Sequence, residues 1–286
     1  MIVSKIIGGL GNQMFQYALG STLAARRGAL FALDRRDFAH YRTHAYGLQH
    51  FVLSAPDAPQ SILPRRRGRL HRLLGRLTDS RPLKVVTESG MAFNPAILDL
   101  PDNVYLDGYW QSERYFADAA EAIRAAFAIK TAPSPENRRW LDQIGQCPAV
   151  SVHVRRGDYV SNASANAVHG TCGLDYYERA ISTMRQQLGT DPVFFAFSDD
   201  PEWTRQSLPF GGCQHHVIDN NDASTNYEDL RLMASCRHHI VANSSFSWWG
   251  AWLNPSPDKV VIAPTRWFRA ESFNDRDLVP QGWIRL

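Results

Sequence analysis

Residues 153–159 read HVRRGDY directly after the apolar alternation AVSV, so two arginines, a glycine and an acid close what reads as a buried strand. A guanidinium is a planar fork, charged at any physiological pH, whose donors match phosphate oxygens. Arg155 and Arg156 together suit a diphosphate. Side chains of neighbouring strand residues point to opposite faces, but the strand is ending here. One arginine can therefore meet a ligand while the other supports the loop, and Arg155 is the expected ligand contact. Further along, ANSSFSWWGAWL sets Asn243, Ser244 and Ser245 ahead of a short helix whose first amides carry partial positive charge, a second place for an anion. An ordinary helix cap followed by core tryptophans would read the same way.

The opening GGLGNQM imitates a dinucleotide fingerprint through Gly9 and Gly11, with Asp34 at a later strand end. Met14 stands where the third glycine would allow close helix packing, which argues against an NAD site. Small residues ending in Asn12 and Gln13 still let backbone approach a ligand and offer amides to hydroxyl or phosphate oxygens. Paired aspartates are the usual way to recruit a divalent ion for group transfer. Here Asp199 and Asp200 precede Pro201 and read as a helix cap, while Asp275 and Asp277 lie in a polar loop. No metal site is expected, since arginines already stand where phosphate charge would develop. Cys147, Cys172, Cys213 and Cys236 match neither zinc spacing nor a disulfide framework and read as reduced structural thiols.

A chain of 286 residues, 44% of them hydrophobic, can bury a full core in one large domain or two smaller ones. The first half offers the strand IVSKII, a helix from about Met14 to Arg27, the strand ALFALD, then VVTE, VYLDGYW and a helix near Glu113 to Ala128. Pro133 and Pro135 in TAPSPEN put the boundary between residues 131 and 148, giving domains 1–145 and 146–286. The second half alternates AVSVHV, VFFAF, HHVI, HIVAN and KVVIAP with helical patterns, which implies a parallel sheet. Ligands of open parallel sheets bind beyond the carboxyl ends of the strands, and those ends read RRGDY, SDD, DNND and NSS.

A net charge of +3 leaves no global nucleic-acid footprint, and no apolar run is long enough for a membrane span. With no signal peptide in MIVSKIIGG the expected address is the cytoplasm. One local extreme stands out: residues 65–81 hold seven arginines against Asp79, with Leu70, Leu73, Leu74 and Leu77 on one helical face. This basic amphipathic segment reads as a core-packed helix with a solvated face or as a contact for an anionic membrane at its inner surface.

GGLGNQMFQYALG, GYWQSERYF, HVRRGDY and ANSSFSWWGAWL, taken together and in order, resemble the bacterial α-1,2-fucosyltransferases of glycosyltransferase family 11. The resemblance implies a GT-B-like α/β fold, two Rossmann-like domains with parallel sheets facing a central cleft. It also implies GDP-β-L-fucose as donor, inversion at the sugar carbon, no metal or other cofactor, and a galactose-terminated glycan as acceptor. The alternative readings are a fucosyltransferase of another linkage and a nucleotide-sugar- or glycan-binding protein without turnover. The first domain would then serve the acceptor and the second the donor. Residue by residue it places His153, Arg155, Arg156, Gly157 and Asp158 at the GDP diphosphate, with Asn243, Ser244 and Ser245 beside them and Gly9, Gly11, Asn12 and Gln13 as further donor contacts. Arg155 would stabilise the departing nucleotide. Asp158 is read either as the base for the acceptor hydroxyl or as the group that orients the arginines or holds the ribose, and Asp229 either touches the nucleotide or simply packs.

Overall fold

Six consecutive buried residues, Ala149–Val154, form the strand at the centre of the molecule's larger sheet, because a parallel strand covered on both faces has no polar side. The computed structural model describes residues 1–41, 43–64, 83–270 and 272–286, the side chains of Asp158, Ser161 and Ala165 excepted. The basic segment 65–81 lies outside the described residues. Two compact units follow one another, Met1–Phe127 and Ala128–Leu286.

The first unit carries β1 (Ile2–Lys5), α1 (Leu10–Arg27), β2 (Phe31–Asp34), β3 (Lys84–Thr87), β4 (Val104–Asp107) and α2 (Ala120–Ala126). Its four strands pair in parallel in the order β2-β1-β4-β3. Close helix-to-strand packing is achieved at Gly20 in α1, where a methyl group would collide with Ser4 Oγ and the Phe31 ring. The helix expected from Glu113 to Ala128 is instead a 3-10 turn at Glu113–Tyr115, capped by the Ser112 hydroxyl, a second turn at Ala117–Ala119, and then α2. Tyr115 and Phe116 are both buried at the turn between the two 3-10 segments.

In the second unit α3 (Pro135–Gly145) precedes β5 (Ala149–Val154), followed by α4 (Gly157–Ser161), α5 (Ala163–His169), α6 (Leu174–Leu188), β6 (Val193–Ser198) and α7 (Pro201–Ser207). Then come β7 (His215–Ile218), α8 (Asn226–Ser235), β8 (His238–Ile240), α9 (Ser245–Leu253), β9 (Val261–Ala263) and β10 (Ile284–Arg285). All neighbours pair in parallel, in the order β10-β9-β8-β5-β6-β7. Val150, Val152 and Val154 pack with Tyr176, Tyr177, Ile181 and Met184 of α6 on one face. On the opposite face Ser151 meets His239 at 2.8 Å, and Phe195 packs edge-on against Trp140 of α3.

The expected boundary at 145/146 moves to 127/128. Ser134 caps α3 by accepting from the Asn137 amide at 3.1 Å, and Pro135 starts the helix. Trp140 Nε1 then donates to Asn220 and Asn137 Nδ2 to Asn221, so the segment read as linker is built into the second unit.

Candidate active site

The second sheet has the strand order of a doubly wound nucleotide-binding fold: the chain runs outward through β5, β6 and β7, then returns to lay β8, β9 and β10 on the other side of β5. β5 and β8 are therefore neighbours whose outgoing connections diverge, and the crevice beyond their carboxyl ends is where such folds hold ligands. Arg155, Arg156 and Gly157 leave β5 there, and Asn243, Ser244 and Ser245 leave β8. The two sequence motifs expected to share a site follow adjacent strands.

Register explains how the arginines are held. Val154 pairs with Ser198 across β5 and β6, so the next residues of each strand, Arg155 with Asp199 and Arg156 with Asp200, come opposite one another. Arg155 Nη1 lies 2.9 Å from Asp199 Oδ2, and Asp199 Oδ1 accepts the Arg156 backbone amide at 2.8 Å. Gly157 is required by this arrangement, because a β-carbon there would fall 2.5 Å from Asp199 Oδ2. Arg156 Nε donates to Asp200 at 3.1 Å while its guanidinium sits 3.9 Å from the centre of the Trp203 ring. Asp200 also caps α7 by accepting from Trp203 N. Both cations are thus oriented in advance, and Arg156 is the one built into the neighbouring helix.

His153 is buried, with its ring beside Phe246 and its carbonyl accepting from the Tyr177 hydroxyl at 3.1 Å. Burial and the Arg155 cation push its pKa down to about 3, so the ring is neutral at physiological pH. Its Nδ1 is buried with no hydrogen-bond partner among the described residues. Asp158 follows in α4, its side chain outside the described residues.

Across the crevice, the Asn243 side chain is committed to structure. Its Nδ2 donates to the carbonyls of His169, Gly170 and Trp267, and its Oδ1 accepts from Cys172 Sγ. Burial pushes that thiol up to about 12, which makes it inert. The Ser244 hydroxyl accepts from Phe246 N and caps α9, which leaves Ser245 half-buried in the helix's first turn. Asn243 shapes the turn, and the start of α9 presents the positive end of the helix.

The first unit repeats the logic between β1 and β4, where the strand order also switches. Helix α1 begins at Leu10, so Gly9 is its cap residue and Gly11 lies in its first turn. Gln13 is fully buried: Nε2 donates to the carbonyls of Gly8 and Ala45, and Oε1 accepts from Gly47 N. Asn12 Oδ1 accepts from Gln111 at 2.6 Å, tying the first turn of α1 to the loop after β4. Asp34, the apparent ribose acid of a dinucleotide site, binds Arg36 through both oxygens and accepts from the Tyr105 hydroxyl at 2.8 Å.

Three groups at these sites are not recognisable from the linear sequence alone. Asp199 reads in sequence as a cap, yet it holds both arginines; the signal is two six-residue strands followed by RR and DD, legible only once they are known to be neighbours. Trp203 carries no motif. Glu88, just beyond β3, accepts the amides of Tyr109 and Trp110 at 2.6 and 2.9 Å. It holds Trp110 at φ 58°, a left-handed conformation that costs a non-glycine residue about 1–2 kcal/mol. Desolvation raises the Glu88 pKa despite those two hydrogen bonds.

Among the described residues no cluster of three or more His, Cys, Asp or Glu side chains could hold a metal ion, and no helix is long and apolar enough to cross a membrane. A doubly wound parallel sheet with paired arginines at its switch point is the arrangement of an α/β enzyme whose crevice suits an anionic ligand. Residues 91–286 match the family model for Glycosyl transferase family 11, and the chain belongs to that family. It is 34% identical to an alpha-1,2-colitosyltransferase of Escherichia coli over 298 aligned residues, covering 100% of this chain and 99% of the relative. It is 28% identical to the galactoside alpha-(1,2)-fucosyltransferase 1 of Plecturocebus brunneus, over 90% of this chain and 66% of that protein. A mutant of FUT1 from Arabidopsis thaliana, solved in complex with GDP, superposes with a TM-score of 0.51 at 10% identity, over 97% of this chain and 74% of that one. The chain is a glycosyltransferase with a GT-B-like α/β fold.

Proposed function

We propose that this enzyme transfers L-fucose from GDP-β-L-fucose to the 2-hydroxyl of a terminal β-galactoside, with inversion and without a metal, in the assembly of a surface polysaccharide. The observation that carries the reading is the pair Arg155 and Arg156 at the β5/β8 switch point, each held by an aspartate of the adjacent strand. In the reaction the bond between the sugar's anomeric carbon and the phosphate oxygen breaks, the electron pair stays on GDP, and the acceptor oxygen bonds to the opposite face. Charge grows on the phosphate as the bond opens, so cations already in position favour the transition state over the ground state.

In this reading the second unit binds the donor and the first serves the acceptor. Arg155 meets the diphosphate, with the positive end of α9 across the crevice. His153, neutral and with no partner for Nδ1 among the described residues, suits a ligand hydroxyl. Asn243, Gln13 and Gly157 act by shaping the loops around the donor. Asp158 supplies the carboxylate that takes the acceptor's proton or orients the arginines. The basic segment 65–81 would hold the enzyme against an anionic membrane, which flotation with anionic liposomes at low salt tests; absence from the floated fraction rejects it.

A second reading exchanges the donor sugar. The E. coli relative that aligns along the whole chain is named for colitosyl transfer, and colitose is fucose without its 3-hydroxyl. Incubation with a β-galactoside and either GDP-sugar separates the two. Coupled GDP release and an α-1,2-linked product from GDP-fucose support the first reading, product from GDP-colitose alone supports the second, and saturable binding without turnover rejects both.

A further inference from the structure

In the loop after β4, Tyr109 is exposed while the next residue, Trp110, is buried. We infer that Tyr109 is the platform on which the acceptor's pyranose ring stacks, and that Glu88 is the residue positioning it; this deepens the galactoside reading above and rests on it.

Four observations converge on that residue. Tyr109 lies beyond the carboxyl end of β4, at the β1/β4 switch point of the first sheet, where a parallel α/β unit holds ligands. It is the exposed aromatic among the described Phe, Tyr and Trp residues of this unit, 39% accessible, while its neighbour Trp110 is buried. Its backbone is fixed on all sides. Glu88 accepts the amides of Tyr109 and Trp110, Gln16 Nε2 donates to the Gly108 carbonyl at 3.1 Å, and Gln111 Nε2 donates to Asn12 Oδ1 in the first turn of α1. A β-carbon on Gly108 would strike Glu88, so glycine there admits the carboxylate that makes the clamp. Finally, the left-handed Trp110 is a strained non-glycine residue next to the exposed ring, and such strain persists where the surroundings enforce a particular presentation.

A rigid, solvent-facing ring is a poor contribution to a core and a good one to a sugar site. The C–H bonds on one face of a β-galactoside form an apolar patch that meets the electron-rich face of a ring, and the phenol adds one hydrogen-bonding tip. Pre-ordering the loop lowers the cost of immobilising it on binding.

The test uses the full chain and three variants, Tyr109→Ala, Tyr109→Phe and Glu88→Gln, each checked for unchanged GDP binding. Methyl β-galactoside is the probe, followed by saturation-transfer NMR, with initial rates from GDP-fucose alongside. Tyr109→Ala should weaken galactoside binding in a saturation-transfer titration and raise the acceptor KM, each about tenfold or more, leaving donor KM and slow donor hydrolysis by water unchanged. Tyr109→Phe should stay within about threefold of the parent, since the face is retained. Glu88→Gln should raise the acceptor KM in the same direction and add little on top of Tyr109→Ala, the non-additivity expected of one residue acting through another. A Tyr109→Ala enzyme that binds and uses the galactoside like the parent overturns the inference while leaving the transfer reaction standing. A parent enzyme that hydrolyses GDP-fucose yet binds no galactoside overturns both the platform and the galactoside acceptor.

Discussion

At the end of β5 two guanidiniums each pair with an aspartate and lie over a ring, but at different range: Arg155 with Asp199 and, 5.4 Å away, Tyr159; Arg156 with Asp200 and, closely stacked at 3.9 Å, Trp203. Replacing Arg155 with Ala should therefore cost about 10²-fold or more in kcat with little change in Tm, the scale seen when one preorganised charge is removed. Lysine should not restore the rate, because a point charge cannot reproduce the planar fork. Arg156→Ala should instead lower stability by roughly 1 kcal/mol through the lost stacking, its half-exposed ion pair adding little. Thermal melts beside initial rates separate the two; equal losses for both variants would contradict the division of roles. The neutral His153 adds that the rate profile between about pH 5 and 8 should contain no limb from its protonation.

Between elements, two close approaches and one buried acid carry predictions. Gly157→Ala puts a methyl group against the Asp199 carboxylate and should release Arg155 from its partner, cutting turnover while α6 and the core beneath it remain intact. Rates and circular dichroism check this, and a fully active variant would remove Asp199 from the arrangement. Gly20→Ala drives α1 off β1 and β2 and should destabilise by about 1–3 kcal/mol in a denaturant titration. Asp229, in the first turn of α8, accepts from Asn221 at 2.7 Å, yet burial raises its pKa to about 6, with Glu228 adding to the rise. A raised acid keeps its proton longer when folded than when unfolded. Its contribution to stability is therefore fully present below about pH 4 and is lost as pH rises through about 6. Asp229→Asn should flatten that slope and stabilise the protein at pH 7.5 by on the order of 2 kcal/mol. Denaturation at pH 4 and 7.5 reads this directly, and parallel curves for parent and variant would refute it.

Over the whole molecule, two parallel sheets each place a strand-order switch at their carboxyl edge, and the family's chemistry needs two substrates. With cationic side chains on the donor side, the proposed mechanism predicts that a chelator leaves the rate within about twofold of the untreated enzyme. A strict requirement for an added divalent ion would replace arginine electrostatics with Lewis-acid assistance as the main stabilisation.

Much of this could be read from residues in order, because strands buried on both faces are nearly continuous apolar runs and parallel sheets announce themselves by alternation. AVSVHV, VFFAF and HHVI became β5, β6 and β7, and the polar residues at their ends did gather on one edge. The linear chain was ambiguous wherever a residue's meaning depends on its neighbour in space. Asp199 resembles a cap until β6 lies beside β5; Gln13 and Asn243 resemble ligand amides until distant carbonyls claim them. TAPSPEN resembles a linker until Ser134 caps a helix that packs on α8. Local pattern sets which segments become strands and helices, since that depends on each segment's own periodicity. Register and packing decide which polar groups remain for a substrate, because a hydrogen bond made inside the fold is no longer available outside it.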